Sequence, residues 1–448
     1  MNKIITFFNN LLPSLSNAWK GNGLTSQVFR GSIGSISIKL LSTSLGFLSV
    51  LVLARVLGAE SYGVYAFTIA IISLVAVPAQ LGLPQLIIRE SAKARALEEW
   101  SILKGLWRWS TLAVLLFSLI SALAVGIYLY FTNSSSTVYG SMLVYALPLI
   151  PLIALGNIRG AALQGLKHVA IGQIPENIIR PSLMVLILLV SWFFYNEVIA
   201  LDALIAYTAS AFLAFIIGAY LLYKKAPKEL WEVDKLEYRS KDWILSAIPL
   251  ALVSSVQLIN NQTDIIMLTM FRTADEVGVY KVIYSICTLV IFGFMAIQLV
   301  VSPYIASLYI QADIKKLQNI ITLASRATLA LALPVVIFLI IYGEWLLTFL
   351  FGKEYSEGYI GLIILCAGRI INASLGFAVT VANMSGNEKS TLKAVGLSAI
   401  LNIVLNGILI PLYGVNGAAF ATVLTLCTWN FYMWHLVKLK TGINASVF

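Results

Sequence analysis

The residues able to do chemistry in this chain are charges set where charge is costly. Lys39, Arg159, Arg180 and Arg369 fall within long apolar runs, Arg89 leaves one, and Asp264 is an acid inside another. A charge at the centre of hydrocarbon costs at least about 2.5–3.5 kcal/mol on insertion scales, so it faces protein, water or a ligand. Buried cations suit an anionic ligand, and arginine adds a planar fork of paired donors that matches phosphate oxygens. Asp264 suits the opposite task, holding and releasing a proton or a sodium ion, and polar Gln257, Asn260 and Asn261 lie close by in sequence. Cys287, Cys366 and Cys427 lie in apolar runs without paired spacing. Neither His168 nor His435 has a second ligand at helical spacing. The sequence therefore predicts no disulfide, no metal site, no cofactor and no catalytic constellation.

Apolar segments must position these charges. Of the 448 residues, 59% are hydrophobic and 11% charged, against roughly 25% charged in soluble domains. Divided into spans of about 20 apolar residues plus connections, the chain predicts an all-α polytopic membrane protein of twelve helices. They run roughly over 32–56, 63–87, 106–131, 140–160, 173–195, 199–223, 243–271, 279–308, 319–342, 356–380, 392–411 and 415–437. Segment 1–31 reads as a cytosolic or interfacial stretch with Phe7, Phe8, Leu11, Leu12 and Trp19 on one side. The net charge of +10 fits the bias of lysine and arginine towards cytosolic connections rather than a nucleic-acid partner. Connections such as RESAKARALEEWSILK and KKAPKELWEVDKLEYRSK are basic, while GAES, TNSSSTVY and RTADE on the alternate side are short and nearly neutral. Both termini are thereby expected in the cytosol.

The long polar connection 224–241 divides the chain into lobes of six spans, 32–223 and 242–448. VLARVLGAESYGVYAFTIAII aligns with MLTMFRTADEVGVYKVIYSIC about 215 residues later, pairing Glu60 with Asp275 and Gly63-Val64-Tyr65 with Gly278-Val279-Tyr280. LQGLKH and MSGNEK echo each other at a similar separation. Both halves enter from the same side, so the repeat is parallel, an arrangement that puts a transporter's site between lobes.

Leu53–Phe67 (LARVLGAESYGVYAF), Leu81–Ala94 (LGLPQLIIRESAKA), Asn260–Phe271 (NNQTDIIMLTMF) and Leu401–Thr425 (LNIVLNGILIPLYGVNGAAFATVLT) carry a resemblance. Together they resemble polysaccharide-repeat-unit, O-antigen-type flippases of the multidrug/oligosaccharidyl-lipid/polysaccharide (MOP) exporter superfamily. The resemblance implies a V-shaped pair of bundles working by alternating access in the bacterial cytoplasmic membrane. It further implies a substrate, undecaprenyl-diphosphate-linked oligosaccharide, moved from the cytosolic to the periplasmic leaflet, with membrane lipids and other polysaccharide assembly proteins as partners. In the related lipid II flippases a cation on the first helix and one leaving the second contact the diphosphate. Lys39 and Arg89 stand near those places, with Lys where those proteins have Arg.

Each charge also has a structural alternative. Lys39 can snorkel to the surface and Arg89 can bind headgroups. Arg55 can pair with Glu60, Arg159 can anchor an interface, and Arg180 can pair with Glu176 one turn earlier. Arg369 is central in its span and faces the interior. Asp264 either couples transport to an ion or pairs with a cation across the lobes. Two other functions compete with flipping. A multidrug exporter of the same superfamily, taking cationic drugs, would want an acidic cavity, whereas the spans hold at least as many basic as acidic residues. A polysaccharide polymerase or ligase would want an exposed catalytic loop, and the outer connections are short.

Overall fold

The computed structural model describes residues 24–195 and 197–447, with the side chains of 24–37, 253, 257, 299, 388 and 389 outside that description. The expected interfacial segment thus lies mostly outside the described residues. So does the side chain of Gln257. The described chain is almost entirely helical. α1 spans Leu24–Gln80, α2 Leu83–Leu97, α3 Trp100–Phe131, α4 Val138–Ala146, α5 Leu149–Gly165, α6 Val169–Ile174, α7 Arg180–Tyr195 and α8 Ala200–Lys225. The short α9, Lys228–Glu232, lies in the central connection. α10 spans Ser240–Phe271, α11 Ala274–Val290, α12 Phe292–Ile310, α13 Ile314–Leu350, α14 Tyr359–Leu375, α15 Phe377–Met384 and α16 Glu388–Thr441.

Among the described residues, seven helices are long and apolar enough to cross a membrane, and three bent pairs raise the number to ten. α1 and α16, of 57 and 54 residues, are each about 80 Å or more of helix, too long for a single crossing. Each is broken at a glycine whose backbone only glycine adopts without strain: Gly58 at φ 73°, ψ 171° and Gly414 at φ 54°, ψ −129°. Counting each of these helices as two spans takes ten to the expected twelve. The expected loops at 57–62 and 412–414 are therefore single-residue breaks in otherwise helical chain. Further breaks fall at Leu81-Gly82, at Leu147-Pro148 and at the π-turn Pro175–Ile179. Neighbouring helices can satisfy the backbone groups freed at such breaks.

The sequence repeat is a structural repeat. The turn after α2 closes with Glu99 N–H donating to the Ala94 carbonyl at 2.9 Å, around left-handed Glu98. Its counterpart after α12 has Asp313 donating to Leu308 at 3.1 Å around left-handed Ala312. LQGLKH and MSGNEK close alike, with His168 donating to Leu163 and Asn387 to Ala382, both at 2.9 Å. The two copies also meet. α1 packs along α11, and a Cβ on Gly63 would run into the carbonyl of Ala274, while one on Gly278 would run into that of Ala59. Ala59 and Gly63 are the repeat partners of Ala274 and Gly278, so the contact is reciprocal, as a twofold relation requires. Its position, just past the breaks ending the outward spans, puts it at the end away from the basic connections.

Candidate functional site

One helix strings the polar features together. On α10, residues 254, 257, 261 and 264 follow each other at intervals of three or four, which places them on one stripe of the helix. The stripe starts in a cavity of about 290 Å³ between α1, α2, α5 and α10. Gln80, Gln85, Asn157, Gln164 and Ser254 line it, with no charged side chain among the lining residues. Asn157 Nδ2 donates to Gln80 Oε1 at 2.9 Å and Gln85 Nε2 to Ser254 Oγ at 3.2 Å, the second bond joining the two halves of the chain. Gly82, left-handed, brings α2 against the backbone of Ala247–Ala251 here. A second cavity, of about 330 Å³, lies between α10 and α16 and is lined by Asn260, Asn261, Ser398, Thr425 and Trp429. The Thr425 hydroxyl is buried there with no hydrogen-bond partner among the described residues. Amides, hydroxyls and an aromatic face are the groups that bind sugar hydroxyls and ring faces.

The stripe ends at Asp264, which is 5% exposed. Its carboxylate accepts four neutral donors: Tyr280 Oη at 2.6 Å and Thr422 Oγ1 at 2.8 Å on Oδ2, and Asn406 Nδ2 at 2.7 Å and Asn402 Nδ2 at 3.2 Å on Oδ1. None is a cation, so the alternative of a salt bridge across the lobes does not hold. Asn406 Oδ1 is left buried with no partner among the described residues. The site is thus an acid ringed by oxygen-bearing side chains, with one carbonyl oxygen left without a donor among the described residues. Oxygen ligands of this kind suit a hard cation, and no cluster of three His, Cys, Asp or Glu stands anywhere among the described residues.

The cations are dispersed. Arg159 is buried, donating to Glu176 Oε1 at 3.0 Å and to the carbonyls of Ala214 and Phe215 in α8. Arg180 donates to Glu176 Oε2 at 2.9 Å and stacks over Tyr207 at 5.2 Å. The i, i+4 pair expected in the sequence is present, and the π-turn carrying Glu176 lets it take a second arginine from α5. Gly156 and Gly218 leave the room this triad occupies. Arg159 is therefore an internal anchor. Arg369, 7% exposed, lies over the Tyr284 ring at 5.5 Å, and its Nε has no partner among the described residues. It lines neither polar cavity. Lys39 is exposed on α1, and exposed Arg89 pairs with adjacent Glu90 at 2.9 Å. Arg55 makes no ion pair with Glu60 among the described residues and lies beside Gly352 instead. The structure thus puts Asn261 and Asp264 on one stripe, Asn260 beside Asn261 in the second cavity, and Arg159 with Arg180 on one acid. Lys39, Arg89 and Arg369 stand apart from both groups.

Sequence reasoning missed several residues. Asn402 and Asn406, one helical turn apart in LNIVLNGIL, were a legible signal for a polar patch on a buried span. Gln80, Gln85 and Asn157 gave none, being isolated amides in separate segments. Lys281 is a half-buried cation on α11 without a partner among the described residues, visible in the sequence as a lysine at the third position of the expected span 279–308. Cys287 and Cys366, 79 positions apart, come to an Sγ–Sγ distance of 3.8 Å as free thiols. Sequence spacing holds no record of such a meeting.

A family model described as polysaccharide biosynthesis protein matches residues 28–309. The chain belongs to that family. Two curated relatives come from Haloferax volcanii. The probable low-salt glycan biosynthesis flippase Agl15 is 24% identical over 403 residues, 88% of this chain and 80% of that protein. The probable flippase AglR is 23% identical over 426 residues, 89% of this chain and 81% of that one. Among solved structures, an inward-facing multidrug resistance MATE family transporter of the MOP superfamily superposes with a TM-score of 0.73 at 14% identity, covering 92% of this chain and 98% of that one. The lipid II flippase MurJ, in an inward closed conformation, gives 0.71 at 18% identity over 91% and 87%. This member of the polysaccharide biosynthesis family thus has the all-α, multi-pass fold of the MOP superfamily.

Proposed function

We propose that the protein is a flippase for lipid-linked oligosaccharide, carrying a polyprenyl-diphosphate-linked repeat unit, undecaprenyl in a bacterial membrane, from the cytosolic to the outer leaflet. The observation that carries this reading is the uncharged, amide-lined cavity bridging the two halves, in a chain whose family and long-range relatives concern glycans. A transporter for cationic drugs would want acids in that cavity, and its lining residues include none. The lobes 32–223 and 242–448 rock about the cavity, with 224–241 as the connection between them and both termini in the cytosol. The reciprocal Gly63–Ala274 and Gly278–Ala59 contact serves as the outer closure. The sugars lie against Gln80, Gln85, Asn157, Asn260 and Asn261, and Lys39, Arg89 and Arg369 supply positive charge for the diphosphate. Asp264 binds the coupling ion, sodium or a proton, in the second half. No covalent step is needed, since flipping moves the substrate without changing a bond.

The test is reconstitution of the purified chain in liposomes carrying a fluorescent polyprenyl-diphosphate oligosaccharide. A membrane-impermeant quencher reports which leaflet holds the label. Protein-dependent exchange, accelerated by an imposed sodium or proton gradient, is expected. Leaflet exchange at the protein-free rate, together with efflux of a cationic dye, would establish the multidrug reading instead.

A further inference from the structure

A further cavity is larger than either of the polar ones. A groove of about 490 Å³ lies on the flank of the first half, walled by α3 and α8, floored by α5 and closed at its basic end by the central connection. Its lining includes three cations, Lys104, Arg108 and Arg159, and no acid. Arg108 is exposed and makes no ion pair among the described residues. At the floor, Arg159, paired with Glu176, keeps its Nε buried and without a partner among the described residues. Between these cations the surface is apolar, with Leu112, Leu155, Ile158, Phe215 and Ala219. The mouth is aromatic, Tyr223 and Trp231 meeting at 5.2 Å between ring centres, the residue types that settle at membrane–water borders.

We propose that this groove seats one anionic phospholipid from the leaflet on the basic side, its phosphodiester at Arg108 and Lys104 and an acyl chain along Leu112 and Phe215. Charge and shape both argue for this occupant. Cations without acids call for an anion, and an apolar surface reaching Leu112, about 18 Å along α3 from Trp100, calls for a chain rather than a free phosphate. The groove opens sideways between helices whose exposed residues, Leu115, Leu116 and Leu119 on α3 and Phe212 and Ile216 on α8, are apolar. That is the side from which a bilayer lipid enters. The lipid would also touch the link between the halves. Lys104 Nζ donates to the Val233 carbonyl at 2.7 Å, and Leu230, Trp231 and Leu236 form the groove's end wall. A bound lipid therefore pins the central connection to the first half.

The proposal stands apart from flipping and is tested without it. The delipidated full-length chain is titrated with dioleoyl-phosphatidylglycerol or dioleoyl-phosphatidylcholine in detergent, and retained lipid is counted by native mass spectrometry. One phosphatidylglycerol is expected to be held, and phosphatidylcholine at least about fivefold more weakly. Arg108→Gln should weaken phosphatidylglycerol retention by about fivefold. Leu112→Trp, which fills the groove and keeps every cation, should reduce it as well. Both positions are exposed, and size-exclusion profiles confirm that each variant folds. Equal retention of the two lipids by the unaltered chain would overturn the proposal. So would loss with Arg108→Gln but not with Leu112→Trp, which describes an ion at the surface rather than a seated lipid.

Discussion

In the first half, Glu176 sits between two guanidiniums, and Arg159 donates besides to two carbonyls of α8. In the second, Asp264 is just as secluded but is held by four neutral donors and no cation. The first site contains its own counter-charge and leaves one positive charge over. The second has no cation paired with its acid among the described residues. A buried charge without a partner is expensive unless protonation or a bound ion offsets it. The contrast teaches where to look for work in a fold without catalytic groups. The matched triad is a fastener, and the unmatched acid is where the proposed coupling ion would bind.

The sharpest way to break this contrast is to remove the fastener. Glu176→Ala leaves Arg159 buried without its carboxylate, a change expected to cost about 3–5 kcal/mol. Denaturation of the purified chain, followed by tryptophan fluorescence, should show it together with poor expression. Arg180→Ala should cost much less, because Arg180 is partly exposed and its loss leaves Glu176 paired. If the two variants were equally stable, Glu176 would be no fastener and the two halves would differ less than the geometry says.

A smaller effect is expected where the halves are alike. Gly63→Ala and Gly278→Ala each set a methyl against a carbonyl of the other repeat, and overpacking of this kind costs about 1–3 kcal/mol. On the proposed function that energy falls on the outer closure, so both variants should shift the population towards outer opening, and by similar amounts. Spin labels placed on either side of the contact, read by pulsed electron paramagnetic resonance, would measure the shift. A response from one glycine alone would mean that the closure is not reciprocal.

Much of this was legible before any coordinates. Mean composition and span length are bulk properties, so twelve crossings could be counted from the sequence, and the repeat at about 215 residues could be seen, though not that its copies touch. The pairing of Glu176 with Arg180 was legible because helical spacing is local. What was hidden is whatever depends on distant segments meeting. Asn402 and Asn406 reach Asp264 across 138 and 142 residues, and nothing on either side of that gap encodes the other. Arg159 reads as a cavity cation until the break at Pro175–Ile179 turns Glu176 towards it. Gly58 and Gly414 look like ordinary loop residues, because a hydropathy pattern records where apolar runs pause and not the dihedral that bends them.

The smallest structural change carries the most information about the unmatched acid. Asp264→Asn keeps the size of the side chain and removes its charge. One amide oxygen can still accept from Asn402 and Asn406, while the new amide group must find the hydroxyl oxygens of Tyr280 and Thr422, which can rotate to accept. The expected cost to stability is about 1 kcal/mol, the scale of one ordinary hydrogen bond. The expected effect on coupling is complete. In liposomes the variant should exchange labelled lipid-linked glycan at one rate whether or not a sodium or proton gradient is imposed, while the unaltered chain responds to one of them. Testing the two gradients separately identifies the ion. If the variant kept the gradient response in full, Asp264 would be a structural acid like Glu176, and the coupling site would have to be sought elsewhere in the bundle.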